Sequence, residues 1–178
     1  MSKMIKNLNK SEFETKIGKF YYLWEDKAGG IIIYYLGNDK KDFGNFLENI
    51  KKIYRDPNGI YLIDKKSNAI ETAIIGYLDR KIKKFDFKIE FLAGTSFQKR
   101  IWKKLASVPY GETVSYKTLS FLSGYERAWR AAGSALNKNP VMLVIPCHRV
   151  IKSDGRIGRF AGGPKLKEFL VNLEKGAD

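Results

Sequence analysis

The sequence predicts an α+β protein: a small N-terminal α/β domain with an antiparallel sheet, then a mostly helical C-terminal domain with a helix-turn-helix motif. Three observations carry this. Two aromatic and β-branched runs, residues 20–24 and 31–36, flank Asp26-Lys27-Ala28-Gly29-Gly30, the pattern of a hairpin. From Thr95 onward the apolar residues recur at helical spacing. Between them, at Leu92-Ala93-Gly94, the pattern changes, which sets domains at 1–92 and 93–178.

The chain has 178 residues, enough to bury a real core, and 44% of them are hydrophobic, which excludes wholesale disorder. After the hairpin, Phe43, Phe46, Leu47, Ile50, Ile53 and Tyr54 fall on one face of a helix over about 39–54. Asp56-Pro57-Asn58-Gly59 reads as a turn and residues 60–63 as a further strand. Ser67 can cap a helix carrying Ile70, Ile74, Tyr77 and Leu78. Phe85, Phe87, Ile89 and Phe91 alternate with charged residues, as in a strand or extended connector. Nothing in this half points to chemistry, and it reads as scaffold.

In the second half, Thr95 and Gln98 make a capping box for a helix with Phe97, Ile101, Trp102 and Leu105 inward, ended by Val108-Pro109-Tyr110-Gly111. Ser115 can cap a short helix over 116–122, and Gly124 supplies a turn into a second helix over about 125–137. On that helix Ala128, Trp129, Ala132 and Leu136 cluster on the face expected to pack inward. Arg127, Arg130, Ala131, Ser134 and Lys138 share the other face, with no acidic residue among them. Cations set among tiny side chains let a helix backbone approach a nucleic-acid groove closely.

The apolar run Val141-Met142-Leu143-Val144-Ile145 predicts a buried strand, ended by Pro146, which cannot donate to a sheet ladder. The only cysteine, Cys147, and the only histidine, His148, then stand side by side. A free cysteine can be a small buried hydrophobe. Here His148 as a base and Arg149 as a charge would each favour the thiolate, against an unperturbed thiol pKa of about 8.5. On an extended backbone the two side chains point apart, so they would communicate through a water. Two such residues cannot make a four-ligand zinc site.

Beyond them, the loop over 153–163 is rich in glycine but lacks the Gly-Lys-Ser/Thr ending of a phosphate-binding loop. Its glycines would let backbone approach a flat ligand, with Phe160 available to stack. Pro164 suits the first turn of a last helix, with Leu166, Phe169, Leu170 and Leu173 as its core stripe and Glu174 at its end.

Pro146-Cys147-His148-Arg149 behind an apolar run resembles the hallmark of the O6-alkylguanine-DNA alkyltransferases, and the resemblance extends from about Thr95 to Glu174. It implies a DNA repair protein that flips O6-alkylguanine, and also O4-alkylthymine, out of the duplex. The alkyl group would pass irreversibly to Cys147 in one turnover. Cys147, His148 and Glu174 would form a Cys–His–Glu chain, and the Tyr116 hydroxyl would bond the guanine ring. Arg130 would fill the space left by the flipped nucleotide, with Arg127, Ala131, Ser134 and Ser115 also on the DNA. Asn139, Val150, Phe160, Ala161 and Gly162 would form the substrate pocket. Phe160 departs from the tyrosine common at its position, and a structural zinc carried by some members has no ligands here. No cofactor is implied.

Net charge is +14, and the half holding Cys147 carries 15 Lys/Arg against 6 Asp/Glu, compared with 18 against 13 in residues 1–92. That distribution suits a surface meeting phosphates. No apolar run reaches membrane-spanning length and no signal-peptide core stands at the start, so a cytoplasmic, monomeric protein acting with double-stranded DNA is expected. Other readings remain: a non-catalytic lesion binder, a transcriptional regulator reading sequence through Arg127 and Arg130, or a cysteine hydrolase.

Overall fold

A computed structural model of the chain describes residues 6–54 and 59–176. Strands β1 (Lys6–Thr15), β2 (Gly18–Lys27) and β3 (Gly30–Gly37) form an antiparallel meander, with the expected hairpin between β2 and β3. Helix α1 (Lys40–Tyr54) follows, then β4 (Ile60–Asp64), which pairs parallel to β1 at the sheet edge, and α2 (Asn68–Leu78), capped by Ser67 as expected. The turn read at 56–59 lies outside the described residues except for Gly59. The alternating stretch over 85–91 contributes only β5 (Lys88–Ile89), parallel to β3, and is otherwise connector. The sheet order is β4-β1-β2-β3-β5.

Side-chain alternation, shifted by a bulge in the β2–β3 pairing at Tyr34, divides this sheet into two faces. Tyr21, Leu23, Tyr34 and Tyr35 pack on Phe43 and Ile50 of α1. Tyr22, Trp24, Ile33 and Leu36 face the other way, onto Ile70, Ile74 and Tyr77 of α2. That second core does not stop at residue 92. It continues without a break through Ile101, Trp102, Leu105, Leu136, Ile145 and Leu170, and includes Cys147.

The helical half comprises α3 (Ser96–Leu105), β6 (Val114–Ser115), α4 (Tyr116–Leu122), α5 (Trp129–Leu136), β7 (Val150–Ile151) and α6 (Pro164–Lys175). Thr95 and Gln98 make both halves of the capping box. Gly124 turns the chain at φ 82°, in the left-handed region where a side chain is disfavoured. The helix expected over 125–137 begins later. The Ser120 hydroxyl bonds the Tyr125 carbonyl and Ala128 N–H bonds back to it at 3.3 Å, so 125–128 is a turn that holds Arg127. The buried arc of α5 centres on Ala132 and Ala135, and Trp129, read as inward, lies toward its edge in the first turn with 41% of its surface exposed. Phe169, read as core, is 39% exposed; Lys167 instead fills the stripe, fully buried.

The run over 141–145 is not a strand. Met142 N–H bonds the Leu36 carbonyl at 2.7 Å, and Leu36 N–H bonds that of Pro140 at 2.8 Å, a single bridge onto the end of β3. Leu143 then takes φ 68°, and Ile145 N–H turns back to the Val141 carbonyl at 2.9 Å. A buried apolar run reads alike as strand or as packed turn, and here the left-handed Leu143 coils it. Among the described residues no helix is long and apolar enough to cross a membrane.

Candidate active site

Cys147 begins a short 3-10 turn, Cys147–Arg149, between the coiled apolar run and β7. The extended backbone expected at Cys147 and His148 is therefore absent: Pro146 leads into a turn closed by Arg149 N–H on the Pro146 carbonyl at 2.9 Å. Parallel pairing of β7 with β6 sets this turn beside Ser115 and Tyr116, the start of α4. Residues remote in sequence are thus brought to one place by a two-residue ladder.

Asn139 holds the Cys147 segment closed. Its Nδ2 donates to the Ile145 carbonyl at 2.8 Å and to Cys147 Sγ at 3.2 Å, while its Oδ1 accepts from Val141 N–H at 3.0 Å. Cys147 is 6% exposed. Burial pushes its thiol pKa up, opposed by the Asn139 amide and the Lys167 charge, so the resting group is a thiol. Arg149 does not supply the charge expected for a thiolate, because its guanidinium is turned to Glu174.

His148 is fully buried, and burial lowers its pKa against the pull of Glu174. Its Nε2 lies 2.8 Å from Glu174 Oε1 and 3.2 Å from the Tyr77 hydroxyl. Its Nδ1 has no hydrogen-bond partner among the described residues. Glu174 is reached by four residues from three segments. Arg149 Nε donates to Oε2 at 2.9 Å and Nη2 to Oε1 at 2.8 Å. Gly111 N–H donates to Oε2 at 2.9 Å, and the Tyr77 hydroxyl donates to Oε1. Burial would raise this carboxyl, but the bonds from His148, Arg149 and Tyr77 win and hold its pKa down at about 2. It is a buried, satisfied carboxylate.

Tyr116 stands on α4 between α5 and the glycine-rich loop. A Cβ on Gly158 would come within 2.8 Å of its ring, so this glycine serves the approach of Tyr116. Gly162 likewise makes room for Leu166 and Phe160, whereas the glycines were read as making room for a ligand. The Tyr116 hydroxyl donates to the Arg159 carbonyl at 3.2 Å. Lys167 Nζ lies 3.4 Å from that hydroxyl and donates to the Val150 carbonyl at 2.5 Å. Its ammonium also lies 5.5 Å from the ring centre of Tyr116 and 6.0 Å from that of Phe160. Burial lowers the Lys167 pKa to about 8. A cavity of about 500 Å³ opens above Tyr116 between α5 and the loop.

Of the expected site residues, Asn139 is bonded to Cys147 and His148 to Glu174, two pairs that meet in the one turn, and Tyr116 reaches Val150 of the same segment through Lys167. Val150 is buried, Phe160 packs inward beside Lys167, and Gly162 and exposed Ala161 follow on the loop. Arg127, Arg130, Ala131 and Ser134 are all exposed, and Arg130 and Ser134 line the cavity. Ser115 caps α4 through Thr118 N–H at 2.9 Å. Missed were Tyr77, placed in a half read as scaffold, and Lys167. The latter carried a signal: it lies one turn before Leu170 and two before Glu174, on the face that must pack inward.

Known proteins are similar to this chain in sequence and fold. A family model described as the 6-O-methylguanine DNA methyltransferase, DNA binding domain, matches residues 96–176. A methylated-DNA–protein-cysteine methyltransferase of Methanosarcina barkeri is 40% identical over 159 residues, covering 88% of this chain and 97% of its own. The chain belongs to this methyltransferase family. An inducible methylated-DNA–protein-cysteine methyltransferase of Bacillus subtilis is 35% identical, covering 80% of this chain and 79% of its own. The crystal structure of a Mycobacterium tuberculosis O6-methylguanine methyltransferase superposes with a TM-score of 0.76 at 26% identity, over 96% of this chain and 94% of that one. A structure of the M. tuberculosis protein in complex with DNA gives 0.73 at 25%, with the same coverage. Membership makes the chain a methylated-DNA–protein-cysteine S-methyltransferase, with an antiparallel-rich sheet domain and a helical C-terminal part as expected.

Proposed function

We propose that this methyltransferase extrudes O6-alkylguanine from duplex DNA and takes the alkyl group onto Cys147 once, without turnover. The observation that carries the reading is the buried line from Glu174 through His148 to the segment of the only thiol in the chain. Arg127, Arg130, Ala131 and Ser134 would meet the DNA, Arg130 entering the space left by the extruded nucleotide. Asn139, Val150, Phe160, Ala161 and Gly162 would enclose the base. The reading carries with it a monomer inside the cell, residues 1–92 as supporting domain, 93–178 as DNA-binding and transfer domain, and O4-alkylthymine as a further substrate.

Both resting groups are neutral, so the first step is a proton transfer. The thiol proton passes through a water to Nδ1 of His148, and Glu174 stabilises the imidazolium through Nε2. The Cys147 thiolate then attacks the alkyl carbon as the carbon–O6 bond breaks, its electron pair leaving with guanine. Charge growing on the purine needs a donor. The Tyr116 hydroxyl, with the Lys167 ammonium behind it, is that donor once it turns from the Arg159 carbonyl. The product is a thioether, and no group in the cluster can hydrolyse one, which makes the reaction stoichiometric.

Intact mass after incubation with O6-methylguanine DNA tests this. One methyl group, on the peptide containing Cys147, is expected, and none on Cys147→Ser. A methyl group elsewhere, or repeated turnover, would overturn the proposal.

A further inference from the structure

The chain has three tryptophans, and two are conventional. Trp24 and Trp102 are 4% and 2% exposed, and their indole N–H groups donate to the carbonyls of Lys65 at 3.1 Å and Ala135 at 2.8 Å. Trp129 is neither buried nor bonded. Its indole is 41% exposed, and among the described residues it has no hydrogen bond, ring contact or cation contact. An exposed tryptophan has a large apolar face to hide and a donor to satisfy, so a partner for it is the natural expectation.

Its position says which partner. Trp129 opens α5, directly before Arg130, and both line the cavity above Tyr116, facing Lys152 and Arg159 of the opposite loop. The walls of that mouth are cationic, and an anionic polymer bearing flat rings matches it where an apolar protein surface does not. In a helix that enters a groove, the first turn goes deepest. We propose that Trp129 stacks on a nucleobase beside the extruded nucleotide, so that α5 holds the opened DNA with two side chains, the guanidinium of Arg130 and the indole of Trp129. This rests on the proposed function, since it presumes that the cavity mouth faces DNA. Stacking of a base on an aromatic side chain tolerates any sequence, which suits a protein that must find a lesion in every context.

Because the other two indoles are sealed in the core, a change in tryptophan emission on DNA binding reports on Trp129. The test is a titration of Cys147→Ser protein with a dye-labelled duplex carrying O6-methylguanine, with dye anisotropy recording binding independently. Emission should fall in step with anisotropy, and added Trp129→Phe should remove that response. In the protein that retains Cys147, Trp129→Ala should slow single-turnover repair in duplex by about 5- to 100-fold, and Trp129→Phe by much less, because a smaller ring still stacks. Saturating anisotropy with unchanged emission, or Trp129→Phe as slow as Trp129→Ala, would overturn the role of Trp129 and leave the DNA reading standing. No anisotropy change at all would overturn both.

Discussion

Tyr77 and His148 lie 71 residues apart in the chain, and the phenol oxygen sits 3.2 Å from the imidazole Nε2. The same hydroxyl donates to Glu174, which closes a triangle of three buried side chains from α2, the 3-10 turn and α6. The sheet half therefore supplies one side chain of the buried cluster around Glu174.

Tyr77→Phe keeps the ring in the core and removes only the hydroxyl. Losing a hydrogen bond to a charged group costs about 1.5–3 kcal/mol, so the melting temperature should fall measurably. With the imidazolium less well held, single-turnover transfer from O6-methylguanine DNA should slow by about tenfold, the equivalent of ~1.4 kcal/mol. A variant that melts lower yet transfers at the parent rate would confine Tyr77 to packing.

Acid unfolding should register Glu174. Its folded pKa of about 2 lies below the ordinary 4.5, so its stabilisation is complete above about pH 4.5 and is lost as pH falls toward 2. The shift corresponds to at most about 3 kcal/mol. Glu174→Gln should flatten the stability profile in that window. At neutral pH it should destabilise by about 3–5 kcal/mol, because Arg149 is left charged and unpaired in the interior. Urea unfolding across pH checks both.

The resting thiol should titrate late. Burial raises the Cys147 pKa above its ordinary 9.0, so thiolate absorbance, with Cys147→Ser as the blank, should grow only above pH 9. Asn139→Ala removes a donor to Sγ and should push the titration higher still. A thiolate already formed at neutral pH would show that the protein pre-ionises its nucleophile.

Arg130→Ala should slow repair in duplex DNA by at least about tenfold more than reaction with the free base O6-benzylguanine. Extrusion costs a few kcal/mol in duplex and nothing for a free base. Paired single-turnover rates on the two substrates decide it, and equal losses would place Arg130 in the pocket.

Much of this was legible in the chain because local patterns and tertiary packing agree. The β2–β3 hairpin, the Ser67 and Ser115 caps and the Thr95 capping box are set by residues close together in sequence. The family resemblance around Cys147 also pointed to His148 and Glu174, and these two are bonded to each other. What failed depends on distant contacts. The run over 141–145 carries strand residues, yet Leu36 offers it one bridge and Leu143 coils it away. Tyr77 looks like any aromatic on a buried helical face, and only the docking of α6 shows that its hydroxyl is engaged. Trp129 shares a helical face with Ala132 and Leu136, but packing falls off toward the first turn of α5, where periodicity sees no difference.

The four-sided grip on Glu174 has a consequence for when the protein becomes active. Tyr77, Gly111, His148 and Arg149 lie earlier in the chain, and each must wait for the carboxylate on α6. Without α6, Cys147 stands beside a histidine whose Nε2 has only the Tyr77 hydroxyl and no carboxylate to steady a charge. Under the proposed transfer, the part played by His148 therefore depends on α6 being docked, and loss of that helix from the body of the protein would leave the thiol without a supported base.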